Sequence, residues 1–169
     1  TENQRDLKAT ANHPFLVLSK RGSFSYISWK RLDTIKINDL IAISGMIPDK
    51  GKSFEIEFNE FRGNKSITIP KESSEDLMWL LGFYTGDSYK DSGRVYFAVS
   101  KKDKSHEKVK ILMRNLFNLE VKEHGPVVLR TGSIDFVKFL SYLGFNGRAK
   151  EKRIPKWVYK LPANQKLAF

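Results

Sequence analysis

The hydrophobic pattern of the chain changes near residue 70. Before that point, short apolar runs alternate with turn residues: "PFLVLS" (14–19), "FSYISWKRL" (24–32) and "TIKINDLIAIS" (34–44). These runs are rich in β-branched and aromatic residues, which favours strands. In "SFEIEFNEFRGNKSITIP" (53–70) apolar and charged residues alternate, which predicts a half-exposed strand and its hairpin partner. The first seventy residues are therefore predicted to be all-β.

The rest of the chain alternates helical and strand patterns. Ser73 and Asp76 form a capping-box pattern ahead of a buried helix over Leu77–Gly86. The later segments are a strand in "RVYFAVS", an amphipathic helix in "SHEKVKILMRNLF", a hairpin in "LEVKEHGPVVLRTG", a helix in "SIDFVKFLSYLGF", a short helix near Pro155 and a further helix start after Pro162. This order predicts an α+β protein whose two halves differ in class.

Charge and composition narrow the choice of function. The chain has 169 residues, 30 Lys and Arg against 19 Asp and Glu, and no cysteine. Thiolate metal ligands, disulfides and a cysteine nucleophile are therefore excluded from this chain. Most of the positive charge follows residue 70, which is typical of a nucleic-acid binder but equally of a merely basic domain. No signal peptide or membrane-length apolar run is present, so a cytoplasmic protein that does not enter the membrane is expected.

The stretch "LKATANHPFLVL" (7–18) contains the first candidate catalytic residues. Asn12 and Pro14 are turn formers, so His13 alone is explained by a turn. With "ISWKRLDTIKINDLIAI" (27–43), however, the stretch resembles the Hint domain of inteins and Hedgehog-type autoprocessing proteins. The resemblance implies that Thr10 and His13 are catalytic and assist cleavage of an upstream peptide bond during protein splicing. The splicing nucleophile and terminal asparagine have no counterpart here, so an internal part of a longer intein is expected.

A second motif lies in the predicted helix. Gly82 and Gly86 are four residues apart and share one helix face, where small residues let another helix approach closely. Asp87 then falls at the C-terminal end, where a carboxylate is unfavourable with the helix dipole. Taken without further context, these residues predict a helix that ends in a Gly-Asp-Ser turn. "LLGFYTGDS" (80–88) also resembles the LAGLIDADG motif of homing endonucleases, with Ser88 in place of the last glycine.

The two resemblances together imply an intein-borne enzyme. The expected fold is an all-β Hint-like segment (1–45), a β-rich connection (46–70) and an αββαββα half-unit of a LAGLIDADG endonuclease (71–169). The expected activity is cleavage of both DNA strands, with Asp87 as catalytic residue and ligand of Mg²⁺. The second carboxylate would come from a second LAGLIDADG helix, in a missing C-terminal part or a homodimer, so this chain alone is expected to be inactive. The alternative is a non-catalytic DNA-binding module or an inactive intein remnant.

The partners implied by the resemblance are a duplex DNA target site and the flanking exteins of a host protein. Long polar and basic side chains on the predicted strands and loops are the expected DNA contacts. They are Arg94, Tyr96, Lys101, Lys102, Lys104, Lys122, Arg130, Arg148, Lys150, Lys152 and Arg153.

Overall fold

A computed structural model describes residues 8–42, 50–62, 67–148 and 151–169. Contacts divide the chain into two compact units, Thr1–Ile47 and Pro48–Phe169, which we call the first and second units and describe separately. No helix within the described ranges has the length and apolarity needed to cross a bilayer. The cytoplasmic location stays a prediction.

The first unit is built on a hairpin. Strand β1 (Pro14–Arg21) pairs antiparallel with β2 (Phe24–Arg31), and the turn between them places Gly22 at φ +60°, a conformation that glycine adopts without strain. A short strand β3 (Leu40–Ile41) pairs with the other edge of β1, so the sheet order is β2-β1-β3. A 3-10 helix over Leu32–Thr34 follows β2.

The second unit contains four α-helices and a four-stranded antiparallel sheet among its described residues. The helices are α1 (Glu75–Asp87), α2 (Lys104–Phe117), α3 (Ile134–Tyr142) and α4 (Ala163–Ala168). The strands are β4 (Ser88–Lys90), β5 (Arg94–Ala98), β6 (Lys122–Glu123) and β7 (Val128–Gly132), in the order β4-β5-β7-β6. A 3-10 helix over Lys156–Lys160 precedes α4.

The core of the second unit lies on one face of this sheet. Val95, Phe97 and Leu129 point into it and are fully buried, and α1 and α3 both contact β5. Phe117 of α2 packs against Phe136 of α3 with 4.7 Å between ring centroids, so aromatic contacts join the helices across the core. Because alternate residues of a strand point to opposite faces, the other face of the sheet is left for polar side chains.

The segment predicted as a strand with a hairpin partner (53–70) folds differently. Outside residues 63–66, which are not described, it forms only an isolated bridge between Glu55 and Glu72. Ile56 and Phe58 are nevertheless buried in the core. The alternation therefore identified the buried side chains correctly. The expected antiparallel pairing is reduced to this one bridge, where the Ile56 N–H donates to the Lys71 carbonyl at 2.8 Å and the Ser73 N–H to the Phe54 carbonyl at 2.9 Å.

The N-terminal cap of α1 is one residue later than the sequence pattern indicated. Ser74 Oγ accepts a hydrogen bond from the Leu77 N–H at 3.2 Å. Ser73 is buried and donates to Gln165 Oε1 of α4 at 2.6 Å, while Gln165 Nε2 donates to Ser53 Oγ at 2.9 Å. A buried amide that is satisfied in this way ties α4 to the start of α1.

Helix α4 also approaches α1 at Gly82. A Cβ atom built on Gly82 would lie 2.0 Å from the carbonyl oxygen of Phe169, whereas one on Gly86 would have no atom within 4 Å. The close approach predicted for Gly82 therefore occurs within the same chain, with the backbone of Phe169 directly after α4. Gly86 has no such contact, although it shares the same face.

The side chain of Lys90 joins β4 to α3. Its ammonium group donates to Ser141 Oγ, and to the Val137 carbonyl and Asn146 Oδ1, both at 3.4 Å. Burial lowers the pKa of Lys90 to about 8, because the charged form loses hydration.

We expect Gly82→Ala and Gly86→Ala to change stability in opposite directions. Alanine favours a helix over glycine by up to about 1 kcal/mol, so Gly86→Ala should raise the free energy of unfolding. Gly82→Ala should lower it by about 1–3 kcal/mol, as overpacking does, because α4 must move. Urea denaturation, monitored by circular dichroism, measures the free energy of unfolding of both variants and of the wild type. Equal stabilisation by the two substitutions would contradict the close approach at Gly82.

The pKa of Lys90 predicts a pH-dependent stability. Between pH 8 and 10 the unfolded chain keeps the Lys90 proton, since the ordinary lysine pKa is 10.5, while the folded chain loses it. The free energy of unfolding of the wild type should therefore rise over this range relative to Lys90→Met. Lys160→Met, at an exposed position of the 3-10 helix, is the control for loss of a lysine charge. A parallel pH dependence of wild type and Lys90→Met would contradict the prediction.

Candidate functional site

The Thr10–His13 stretch forms a turn at the start of β1. The His13 N–H donates to the Thr10 carbonyl at 2.9 Å, and the His13 carbonyl accepts from Leu32 N–H at the same distance. Both side chains are exposed, and the imidazole contacts Phe15 edge-on at 5.2 Å. The geometry thus supports the turn interpretation and places Thr10 beside His13, without testing the catalytic roles expected of them.

The C-terminal end of α1 is occupied by a lysine from the far end of the unit. Lys152 Nζ donates to the carbonyls of Tyr84 at 2.8 Å, Thr85 at 3.3 Å and Ser88. It also lies 4.6 Å from the centroid of the Tyr84 ring. A cation at this position satisfies free carbonyls and offsets the helix dipole. The site is therefore a helix cap.

Asp87 lies exposed beside this cap. Burial lowers the pKa of Lys152, and the negative charge of Asp87 partly opposes that shift. The unfavourable position of Asp87 at the helix end is thus offset by the positive charge of the Lys152 ammonium group. No group of three His, Asp or Glu side chains among the described residues could hold a metal ion, and the expected Mg²⁺ stays a prediction.

The first unit exposes an apolar sheet face. Leu16 pairs with Trp29 across β1 and β2, and Leu18 pairs with both Ile27 and Leu40, so all five side chains share one face. Trp29 is 70% exposed, Ile27 66% and Leu40 61%. On the opposite face Val17 and Ser19 are buried. We call Leu16, Leu18, Ile27, Trp29 and Leu40 the apolar face. A continuous apolar patch of this kind typically marks a contact surface.

The sequence carries a signal for this surface. In "PFLVLS" every residue from Phe15 to Leu18 is apolar, and in "FSYISWKRL" both alternate sets carry aromatic or aliphatic residues. A strand that is apolar on both sides is typical of a sheet covered on both faces. Within the part of the first unit that the structure describes, only one face is covered.

The outward face of the four-stranded sheet carries a different surface. Tyr89 stacks on Tyr96 with 4.5 Å between ring centroids. Beside them, Arg94, Lys122 and Arg130 line a cavity of about 480 Å³ together with residues of the 118–120 segment. We call this cavity the basic concavity. It brings together three of the residues singled out from the sequence.

The remaining described residues of that set do not line the concavity, and some of them are engaged elsewhere. Lys101 forms an ion pair with Glu123, and Arg153 Nη1 donates to the Lys152 carbonyl at 2.9 Å. Lys102, Lys104 and Arg148 are exposed, and Lys150 lies outside the described residues. Among the described members of the set, Arg94, Lys122 and Arg130 are thus the ones that line the concavity.

Comparison with known proteins gives two relatives over nearly the whole chain, while no family model matches it. An iron-sulfur cluster assembly SufBD family protein of Mycobacterium leprae is 32% identical over 181 residues, covering 98% of this chain and 20% of the relative. The replication factor C small subunit of Methanocaldococcus jannaschii is 27% identical over 171 residues, covering 96% of this chain and 8% of the relative. The chain thus spans about a fifth of the length of the first relative and less than a tenth of the length of the second.

These relatives overturn the identification of the chain as an intein with a LAGLIDADG homing endonuclease. Neither is described as an intein or a nuclease, and the one of higher identity is described as a protein of iron-sulfur cluster assembly. On these comparisons the predicted endonuclease and splicing activities are wrong, and so are the expected partners: duplex DNA, exteins and a second LAGLIDADG helix. The resemblance depended on short motifs, which match by chance more readily than whole chains do.

Proposed function

We propose that the chain is a protein-contact module of a larger protein that takes part in iron-sulfur cluster assembly. The apolar face of the first unit is the observation that carries this proposal. Its side chains are too exposed for a sheet that is complete by itself, since burial of such residues is the main stabilising force for a small sheet. We infer that the rest of the larger protein covers this face.

The coverage of the relatives supports this choice of partner. Four-fifths of the SufBD family relative lies outside the matched part, so a relative of this kind has ample chain to cover the apolar face. The replication factor C relative shares the same stretch within a protein of a different name. A contact role suits both larger proteins, whereas cluster chemistry within the shared stretch would suit only one.

The absence of cysteine agrees with a contact role. The irons of clusters are held mainly by cysteine thiolates, and this sequence has none. Any thiolate ligand used during assembly would therefore come from elsewhere in the larger protein or from its partners. The contribution proposed for this chain is to hold protein surfaces together.

The proposal predicts the environment of Trp29. In the isolated chain the exposed indole should fluoresce at long wavelength and the chain should bind a hydrophobic dye such as ANS. Both measurements use Trp79→Phe and Trp157→Phe, and in the larger protein every tryptophan outside this chain is also replaced by phenylalanine. The emission of Trp29 should then shift to shorter wavelength in the larger protein, because the ring becomes buried. Unchanged emission in the larger protein would show that the apolar face is not covered.

A paired substitution tests the link to cluster assembly. In cells that carry Trp29→Glu in the larger protein, the activity of iron-sulfur enzymes should fall several-fold, because a buried charge disrupts an apolar contact by several kcal/mol. Tyr159→Glu, at a side chain that is 65% exposed in the second unit, is the matched control and should leave activity unchanged. Full activity with Trp29→Glu would contradict a role in assembly even if the contact itself is present.

A further inference from the structure

The three cations of the basic concavity lie on one face of the sheet. Arg130 of β7 pairs directly with Lys122 of β6, and Arg94 pairs with Gly132, two residues further along β7. Directly opposed Cβ atoms in an antiparallel pair lie about 5 Å apart, and diagonal neighbours about 7–8 Å apart. The three basic side chains therefore start close enough together to converge on one small ligand.

This arrangement is unfavourable for the empty sheet. Like charges directly opposite each other destabilise a strand pair. Within the part of the chain that the structure describes, the side chains of Arg94, Lys122 and Arg130 make no hydrogen bond or ion pair with another residue. Their charges are thus uncompensated by direct contacts, which distinguishes them from the paired lysines and arginines of the same unit.

The acidic groups near the concavity are already engaged. Glu120, which itself lines the concavity, accepts from Arg114 Nε at 3.0 Å, and Glu123 is paired with Lys101. Asp91 accepts from Tyr96 Oη at 3.1 Å, and its pKa is lowered, chiefly by the Gly93 N–H and in smaller part by the charge of Arg94. These carboxylates reduce the positive potential of the concavity, but their contacts are made with groups other than Lys122 and Arg130.

The walls of the concavity are held by the fold. Thr131 Oγ1 donates to the Glu120 carbonyl at 3.0 Å, which fixes the 118–120 segment against β7. Asn118 ends α2 in the left-handed conformation and its N–H donates to the Arg114 carbonyl at 2.9 Å. A cavity of about 480 Å³ on strands and a capped helix end is within the size range of small-molecule sites.

We propose that the basic concavity binds a small multivalent oxyanion through Arg94, Lys122 and Arg130. Two arginines and a lysine provide planar forks and a point charge for phosphate or carboxylate oxygens. Phosphate and carboxylate share this chemistry, and the concavity is too small for a folded partner to enter. The site is independent of the apolar face and of the proposed role in cluster assembly.

Isothermal titration calorimetry of the 169-residue chain with pyrophosphate, and separately with citrate, tests the proposal. Binding should be saturable with one site per chain. Tighter binding of pyrophosphate would identify phosphate as the preferred group, and tighter binding of citrate would identify carboxylate. Arg130→Gln should weaken binding about tenfold, the effect of losing one charge-assisted hydrogen bond, and Lys122→Gln should do likewise. Lys160→Gln, at an exposed lysine outside the concavity, should leave the affinity unchanged.

Three outcomes would overturn the proposal. The first is no saturable binding of either anion at low salt. The second is equal weakening by Lys160→Gln, which would show non-specific attraction to a basic protein. The third is binding of duplex DNA or heparin that depends on Arg130 while pyrophosphate and citrate do not bind, which would show a surface for a large polyanion. Circular dichroism of Arg130→Gln checks that loss of binding does not reflect unfolding.

Discussion

The second unit depends on the burial of helix α1. Five of its side chains are buried, and it contacts α2, α4 and strands β4 and β5. The terminal backbone groups of a helix need partners beyond its own turns. Ser74 does so at the N-terminus, and Lys152, which follows α1 by 65 positions, does so at the C-terminus. The late segment of the chain is thereby held to the first helix at its carbonyl end, as α4 is held at Gly82.

Local patterns predicted the elements whose determinants are local. The apolar stripe of α2 appears in the structure as buried Val109, Leu112, Met113 and Phe117, at the spacing of a helix face. Ser133 caps α3 as expected, accepting from the Phe136 N–H at 3.2 Å. The hairpin around Gly125 forms with that residue at φ +84°. The α+β fold class as a whole stays a prediction.

The features that sequence reasoning missed depend on residues far apart in the chain. Nothing near Lys152 in the sequence indicates that its ammonium group caps α1, and its basic surroundings favour a DNA contact instead. Ser73 likewise donates to Gln165, 92 positions away, and does not cap the helix. Two adjacent serines offered equivalent caps, and tertiary packing selected the second. The exposure of Trp29 follows from which face of the sheet is covered, and this is a property of the assembled sheet.

The order of strands in the first unit has a consequence for handling the isolated chain. Among the residues that the structure describes, β1 lies between β2 and β3, so the eight residues of β2 form an outer strand with no described strand on its other side. Outer strands that carry apolar side chains recruit further strands and promote aggregation. Lys30 and Arg31 place charge at one end of β2, whereas Phe24 at the other end is 80% exposed. Self-association through β2 would therefore begin at the Phe24 end, and its rate would increase with protein concentration.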